Sequence, residues 1–411
     1  MSPTAVVVGS SVGGVRTAQA LRTAGYEGEV VLVGEEHTLP YDKPPLSKAL
    51  LSGAATAESV TLLTERAAAE AGIRLVLGRA ATRLDVVERC VELADGEHLA
   101  YDHLVIATGA RARPSPWGRP AGVHVLRTLR DATELGRDLR RGGPLVVIGA
   151  GFVGAEVAAT ARAMGVEDIT VVDPAPVPLS RVLSPDVAEL FGRLHTERGV
   201  VTRFGRGVTG IETTAAGLSV HLDDGTALPA ATVVVGIGAV PNDEWLRSSR
   251  LQVDDGVLCD EYCRALGAQG VYAVGDVTRW RHPRNGRPTR LEHWTNAVEQ
   301  ASCVAHNITQ PDRPRTYEPV KYVWSDQYDW KIQITGSTGG DLTHVTVQGP
   351  EEAGAFAVLY CDVKGRFAGA VTVNWPRALV RCRRAVSTAP PLEEVRRTVQ
   401  AMVRRTAEAV G

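Results

Sequence analysis

The chain has no CxxC pair. Its six cysteines (Cys90, Cys259, Cys263, Cys303, Cys361 and Cys382) are scattered, and Cys259 and Cys263 stand without partners at metal-site spacing. No metal site is expected, and the thiols read as reduced, small packing residues. No window approaches the roughly 18 apolar residues that a membrane helix needs. The opening MSPTAVVVG has no basic stretch ahead of a long apolar run. A cytoplasmic protein without a membrane partner is the simplest expectation. A large excess of either charge is also missing: 45 basic against 47 acidic residues give a net charge of −2, which argues against a general nucleic-acid coat while leaving room for local basic patches.

What is present is a soluble, globular composition, 44% hydrophobic and 22% charged. At 411 residues the chain is too long for one ordinary core, so two or three domains are expected. The organising feature is a pattern that occurs twice. TAVVVGSSVGGVRTAQALRTAGYEGEVVLVGEE reads as a buried strand at Ala5–Val8, a turn at Gly9–Gly14, a helix at Val15–Ala24 and a second strand at Val30–Val33, closed by Glu35. PLVVIGAGFVGAEVAATARAMGVEDITVVDPA repeats it: Gly149, Gly151 and Gly154 open a helix, and the strand Ile169–Val172 ends in Asp173.

The physical logic is shared. Glycine permits the tight turn, the close approach of a pyrophosphate and tight helix–strand packing, and the helix N-terminus offers free N–H groups. The carboxylate closing the second strand accepts hydrogen bonds from ribose hydroxyls. Strand, glycine turn, helix, strand and acid in that order is far more specific than GxGxxG alone, and two such units point to two dinucleotides. Ser11 stands where the first copy should have its middle glycine; its Cβ would crowd a pyrophosphate a little, while a hydroxyl there could donate to a phosphate oxygen. Asp173 favours a free 2′-OH over a 2′-phosphate, so NADH is expected ahead of NADPH.

Three further β-rich runs close on glycine: YDHLVIATGA with Thr108 and Gly109, ATVVVGIGAVPN with Gly238, and GVYAVGDV with Gly275 and Asp276. The stretch YDKPPLSK (41–48) adds two prolines that stiffen the backbone ahead of one cation, Lys48.

Taken in order, GxSxxG, Glu35, YDKPPLSK, ATG, the second GxGxxG, GIGxxPN, YAVGD and WSDQYDWK resemble the FAD-dependent ferredoxin reductases, which serve bacterial monooxygenase and aromatic-ring dioxygenase systems. Those relatives often carry arginine where this chain has Lys43. The resemblance implies an α/β fold with two Rossmann-like domains and a smaller α+β C-terminal domain. An FAD-binding domain at 1–113 and 243–318 would flank an NAD-binding domain at 114–242, with the C-terminal domain at 319–411. In the final stretch 392–410, Leu392, Val395, Val399 and Val403 make one apolar stripe, read as packing.

The resemblance also assigns roles. Lys48 would stand near the flavin N5 and pair with Glu156, because a buried ammonium needs a partner. Gly9, Ser11, Gly13, Gly14 and Glu35 would hold FAD, with Ala81, Thr108, Gly109 and Arg127 adding contacts. Gly275, Asp276 and Trp294 would complete that site. Gly149, Gly151, Phe152, Val153, Gly154, Asp173 and Gly238 would hold the nicotinamide cofactor. Trp324 would lie beside the exposed flavin edge, facing an external acceptor.

The missing thiols bear on that acceptor. Relatives that reduce disulfides or peroxides place a cysteine near the position of LPY, and here no cysteine precedes Cys90. The expected activity is therefore NADH:ferredoxin oxidoreductase, passing electrons through FAD to a [2Fe–2S] or similar ferredoxin that feeds an oxygenase, with a haem-thiolate monooxygenase foremost. Rubredoxin reductase, or a redox-sensing flavoprotein resembling apoptosis-inducing factor, remains open. Two arginine-rich segments, RWRHPRNGRPTR (279–290) and RALVRCRR (377–384), are candidate docking surfaces for an acidic carrier. Neither interleaves aromatics as a nucleic-acid module would.

Overall fold

The structure, a computed structural model, describes residues 2–215, 217–283, 286–351 and 354–408. The chain forms two compact units: Met1–Lys43 with Thr56–Arg111 and Ala239–Pro319, and Pro44–Ala55 with Ala112–Gly238 and Val320–Gly411.

The first unit is built on a parallel sheet in the order Val271–Ala273, His103–Ile106, Thr4–Val8, Glu29–Gly34, Ile73–Leu77. Its strands are Val-, Ile- and Leu-rich without alternation, as strands covered on both faces must be. Thr4–Val8 lies in the middle, flanked by Glu29–Gly34 on one side and His103–Ile106 on the other. The strand order therefore reverses at its C-terminal end, where Gly9 begins. The helices Val12–Thr23 and Trp294–Thr309 pack together over this sheet. The first helix begins at Val12, three residues earlier than its composition suggests. Gly13 and Gly14 belong to its first turn, and position 14 must be glycine there because a Cβ would collide with the Gly9 carbonyl.

The second unit repeats the plan with a parallel sheet in the order Val201–Phe204, Ile169–Asp173, Leu145–Ile148, Thr232–Val235, Val123–His124, and the helix Phe152–Ala163 follows its central strand. It also holds an antiparallel sheet in the order Tyr322–Gln327, Trp330–Gly336, Phe367–Val373, Phe356–Cys361, Thr343–Gln348. Period-2 alternation gives this sheet two apolar faces. Ala357 and Leu359 turn towards the helices Pro376–Thr388 and Leu392–Glu408, where Val395 and Val399 are buried. Val358 and Tyr360 turn the other way, onto Leu183, Val187 and Phe191 in and beside the helix Pro185–Glu197. The C-terminal stripe is thus a packing face; residues 409–411 lie outside the described residues. No helix among the described residues is long and apolar enough to cross a membrane.

Candidate functional site

In the first unit, Gly9 has φ +116°, a conformation suited to glycine, and a Cβ there would strike the Ala107 carbonyl. The chain can turn only because both Gly9 and Gly14 lack side chains. Ser11 is the N-cap of the helix Val12–Thr23, in extended conformation, and its side chain makes no capping bond. The first N–H groups of that helix are therefore left to an outside acceptor. Glu35 follows the strand Glu29–Gly34 and is exposed. A cradle that a Cβ would fill, an uncapped helix and an exposed carboxylate fit the pyrophosphate and ribose of a dinucleotide.

The other first-unit candidates surround this turn or brace it. Thr108 donates its hydroxyl to the Asn242 carbonyl (2.7 Å), Asn242 Nδ2 donates to the Thr108 carbonyl (2.9 Å), and the Asn242 N–H donates to the Gly109 carbonyl (2.9 Å). The Thr108 side chain is thus committed to the scaffold, and Asn242 holds the strand end. The Gly275 N–H is held by Gln300 Oε1 at 2.7 Å, and Asp276 follows it half-buried in the turn Gly275–Val277. Trp294 opens its helix, whose N-cap His293 makes no side-chain capping bond, and its indole N–H donates to Asp42 Oδ1 at 2.7 Å. Ala81 begins the strand Ala81–Asp85.

In the second unit, Gly149 has φ +106° and a Cβ there would strike the Gly236 carbonyl, while one on Gly154 would strike the Gly149 carbonyl. Gly151, the N-cap of Phe152–Ala163, has only open space where a Cβ would stand. Val153 at the helix start is 42% exposed, a large apolar side chain awaiting cover. Phe152 packs into the core beneath, and the Gly238 carbonyl accepts the Arg113 N–H at 2.9 Å. The second turn fits a nucleotide as the first does, with one difference at the acid. Asp173 already accepts two backbone bonds, from the Ala150 N–H (2.7 Å) and the Ala175 N–H (2.8 Å). In register it matches Gly34 rather than Glu35, one position nearer the turn, and its carboxylate braces that turn while Glu35 stands exposed. Arg127 lies just before the capping box Thr128–Asp131, and its N–H donates to Asp131 Oδ2 at 3.1 Å.

The stretch PPLS of the second unit forms a short 3₁₀ turn, and Lys48 follows it. Lys48 Nζ lies 2.7 Å from Glu156 Oε2 and also donates to the Pro44 carbonyl at 3.2 Å. Glu156, in the second turn of Phe152–Ala163, is 5% exposed. An ionised carboxylate so deeply placed requires several donors, and it has them. Ser47 Oγ donates to Oε2 at 2.5 Å and Ser325 Oγ to Oε1 at 2.7 Å. Neither serine is evident as a functional residue in the sequence, although both lie inside the two most distinctive motifs.

The WSDQYDW motif becomes intelligible as a hairpin. Ser325 and Gln327 point inwards, fully buried, while Trp324 is half-buried and stacks on Tyr322 with ring centroids 6.0 Å apart. In the turn itself the Tyr328 hydroxyl meets His195 Nδ1 at 2.8 Å and Asp329 pairs with Arg198, and just past it Trp330 stands edge-on to Phe191 at 5.7 Å. Every one of these partners lies on the helix Pro185–Glu197 or its C-terminal cap. Burial lowers the pKa of His195 to about 4, so the ring is neutral at ordinary pH.

The two basic segments differ in available charge. In 279–290, Arg279 pairs with Asp254 (2.7 Å), and Arg290 with Asp255 (3.2 Å) and Glu292 (2.6 Å); Arg284 and Asn285 lie outside the described residues. In the helix Pro376–Thr388, Arg377, Arg381 and Arg384 are exposed, and Arg383 covers the Tyr322 ring at 5.0 Å. Cys259, Cys263, Cys361 and Cys382 are buried, and burial pushes the Cys382 thiol up to about 12.

A family model described as pyridine nucleotide-disulphide oxidoreductase matches residues 3–301, and one described as reductase C-terminal matches residues 322–401. Rhodocoxin reductase of Rhodococcus erythropolis is 40% identical over 392 residues, covering 94% of this chain and 90% of that protein. Putidaredoxin reductase of Pseudomonas putida is 38% identical over 396 residues, covering 94% and 92%. Among solved structures, the covalent putidaredoxin reductase–putidaredoxin complex superposes with a TM-score of 0.88 at 34% identity, covering 97% of this chain and 99% of that one.

Proposed function

The chain belongs to the pyridine nucleotide-disulphide oxidoreductase family, among its ferredoxin reductases, and from that premise we propose that it is an FAD-dependent NADH:ferredoxin oxidoreductase. One observation carries the reading: the same phosphate-receiving turn is built once in each unit, giving a chain that holds two dinucleotides. When bound, FAD takes electrons from NADH as a pair and releases them singly to a one-electron carrier. The protein's own residues bind, orient and balance charge.

The Gly9–Gly14 turn and the open N–H groups of its helix hold the FAD pyrophosphate, and Glu35 takes the ribose hydroxyls. Gly13, Ala81, Thr108, Gly109, Arg127, Gly275, Asp276 and Trp294 complete the flavin contacts. The turn from Gly149 to Gly154, with Phe152, Val153 and Gly238, receives NADH. Asp173 holds that turn in shape and leaves a 2′-phosphate unwelcome. The Lys48 ammonium is the fixed cation of the redox centre, and Glu156 keeps it in place. Trp324 lines the way to the acceptor. The domains are those of residues 1–113 with 243–318 for FAD, 114–242 for NADH and 319–411 at the C-terminus.

The acceptor is a small acidic [2Fe–2S] or similar ferredoxin, drawn chiefly by Arg377, Arg381 and Arg384, and the segment 279–290 contributes less because its neighbours neutralise part of it. The reduced carrier supplies an oxygenase, a haem-thiolate monooxygenase foremost, in the cytoplasm. The test begins with the absorbance spectrum of the purified protein, which should show bound flavin. A panel of ferredoxins and one rubredoxin is then assayed for cytochrome c reduction with NADH and with NADPH. A colourless protein that cannot be loaded with FAD, or a flavoprotein that no iron–sulfur carrier accelerates, would overturn the proposal.

A further inference from the structure

Four side chains from three separate stretches of the second unit converge on one buried site. Glu156 Oε2 receives Lys48 at 2.7 Å and Ser47 at 2.5 Å, while Oε1 receives Ser325 at 2.7 Å. Both serines are held in turn, one through its hydroxyl and the other through its backbone carbonyl. Gln327 Nε2 donates to Ser325 Oγ at 3.2 Å, and Thr160 Oγ1 donates to the Ser47 carbonyl at 2.7 Å. Ser47 is 5% exposed, and Ser325 and Gln327 are 0% exposed, so water offers no ready substitute.

We propose that Ser325, assisted by Ser47, is a positioning residue for the Lys48–Glu156 pair, so that the C-terminal sheet fixes where the cation of the redox centre stands. The argument is geometric. A lysine has a four-carbon stem with many rotamers, and a carboxylate held through one oxygen still turns about its last bond. Glu156 is held through both oxygens by donors on different segments, which fixes the carboxylate plane and leaves Lys48 Nζ a single seat. Hydrogen bonds to an ionised acceptor are about twice as strong as neutral ones, and a buried Oε1 stripped of its donor is left unsatisfied.

The hairpin that delivers Ser325 is itself pinned, by Tyr328 to His195, Asp329 to Arg198 and Trp330 to Phe191. Within Tyr322–Gln327, the inward residues 325 and 327 serve Glu156 while the alternate residue Trp324 lies half-buried beside Tyr322. One strand thereby serves the cation with one face and offers an aromatic on the other.

This inference rests on the reading of the chain as a flavin-dependent ferredoxin reductase, and the experiment separates the two. Flavin reduction by NADH is followed by stopped flow in the wild type, Ser325→Ala, Glu156→Gln and the double variant, and the flavin midpoint potential is titrated in each. A wild type whose flavin NADH does not reduce defeats the functional reading, and with it this inference. Given normal wild-type reduction, Ser325→Ala should slow the reaction about tenfold or more, the scale of a lost charged hydrogen bond, with NADH binding unchanged within about twofold. Its midpoint potential should move in the same direction as that of Glu156→Gln. In the Glu156→Gln background, the Ser325 change should add little, because Ser325 acts through Glu156. A folded Ser325→Ala with wild-type rate and potential overturns the inference, as do rate effects that multiply in full. If Ser325→Ala does not fold, Ser47→Ala carries the same cycle with the same expected collapse and the same overturning outcomes.

Discussion

Acidification should loosen the hairpin clamp through His195. The ring is 2% exposed, bonded through Nδ1 to Tyr328, and edge-on to the phenol at 5.5 Å and 72°. Burial holds it near pKa 4 in the folded chain, against an ordinary value of 6.5. A folded-state pKa below the unfolded one means that the unfolded chain binds the extra proton first. The contribution is therefore fully present above pH 6.5 and is lost as pH falls towards 4. For this shift the loss between pH 8 and pH 5 is about 2 kcal/mol. Other groups titrate in the same interval, so the comparison is between wild type and His195→Gln, which cannot titrate. Urea unfolding followed by tryptophan fluorescence at pH 8, 6.5 and 5 should show the wild-type advantage shrinking by about that amount. An advantage constant within about 0.5 kcal/mol across the series would refute the reasoning.

The other expectations concern the two turns and the exit. Asp173→Ser should raise the relative use of NADPH over NADH in steady-state kinetics; an unchanged ratio would leave Asp173 as a brace for the turn alone. Gly151→Ala meets open space and should unfold within about 0.5 kcal/mol of wild type while raising the KM for NADH. Gly149→Ala, at φ +106° and against the Gly236 carbonyl, should be destabilised by calorimetry, and equal stability of the two variants would contradict the geometry. Trp324→Ala should slow ferredoxin reduction more than flavin reduction by NADH, and equal slowing of both steps would make it a packing residue.

The parallel sheets were legible because buried strands read as short apolar runs and the glycines mark the turns that follow them. The start of the first helix was less so: glycine in sequence looks like turn, yet Gly13 and Gly14 are helical here, and Gly14 is glycine because that first turn lies against the Gly9 carbonyl. The acids illustrate a different limit. Glu35 and Asp173 look equivalent in sequence, yet the strand register sets Asp173 against Gly34, one position nearer the turn, where its carboxylate reaches the Ala150 and Ala175 N–H groups. Ser325 lies 169 residues from the Glu156 it serves, a pairing that no local pattern encodes. Likewise Arg279 and Arg290 look free in sequence, since the acids that answer them, Asp254, Asp255 and Glu292, lie outside the segment.

The antiparallel sheet is covered on both sides, by the final two helices and by the helix Pro185–Glu197. Anyone exchanging tails among relatives to redirect them to a new iron–sulfur carrier inherits a constraint from this. A crossover placed in the linker before residue 320 splits a shared core and asks Phe191, His195 and Arg198 to accept a foreign hairpin. Chimeras that carry residues 179–198 along with the tail keep those matched surfaces together and should be recovered folded more often.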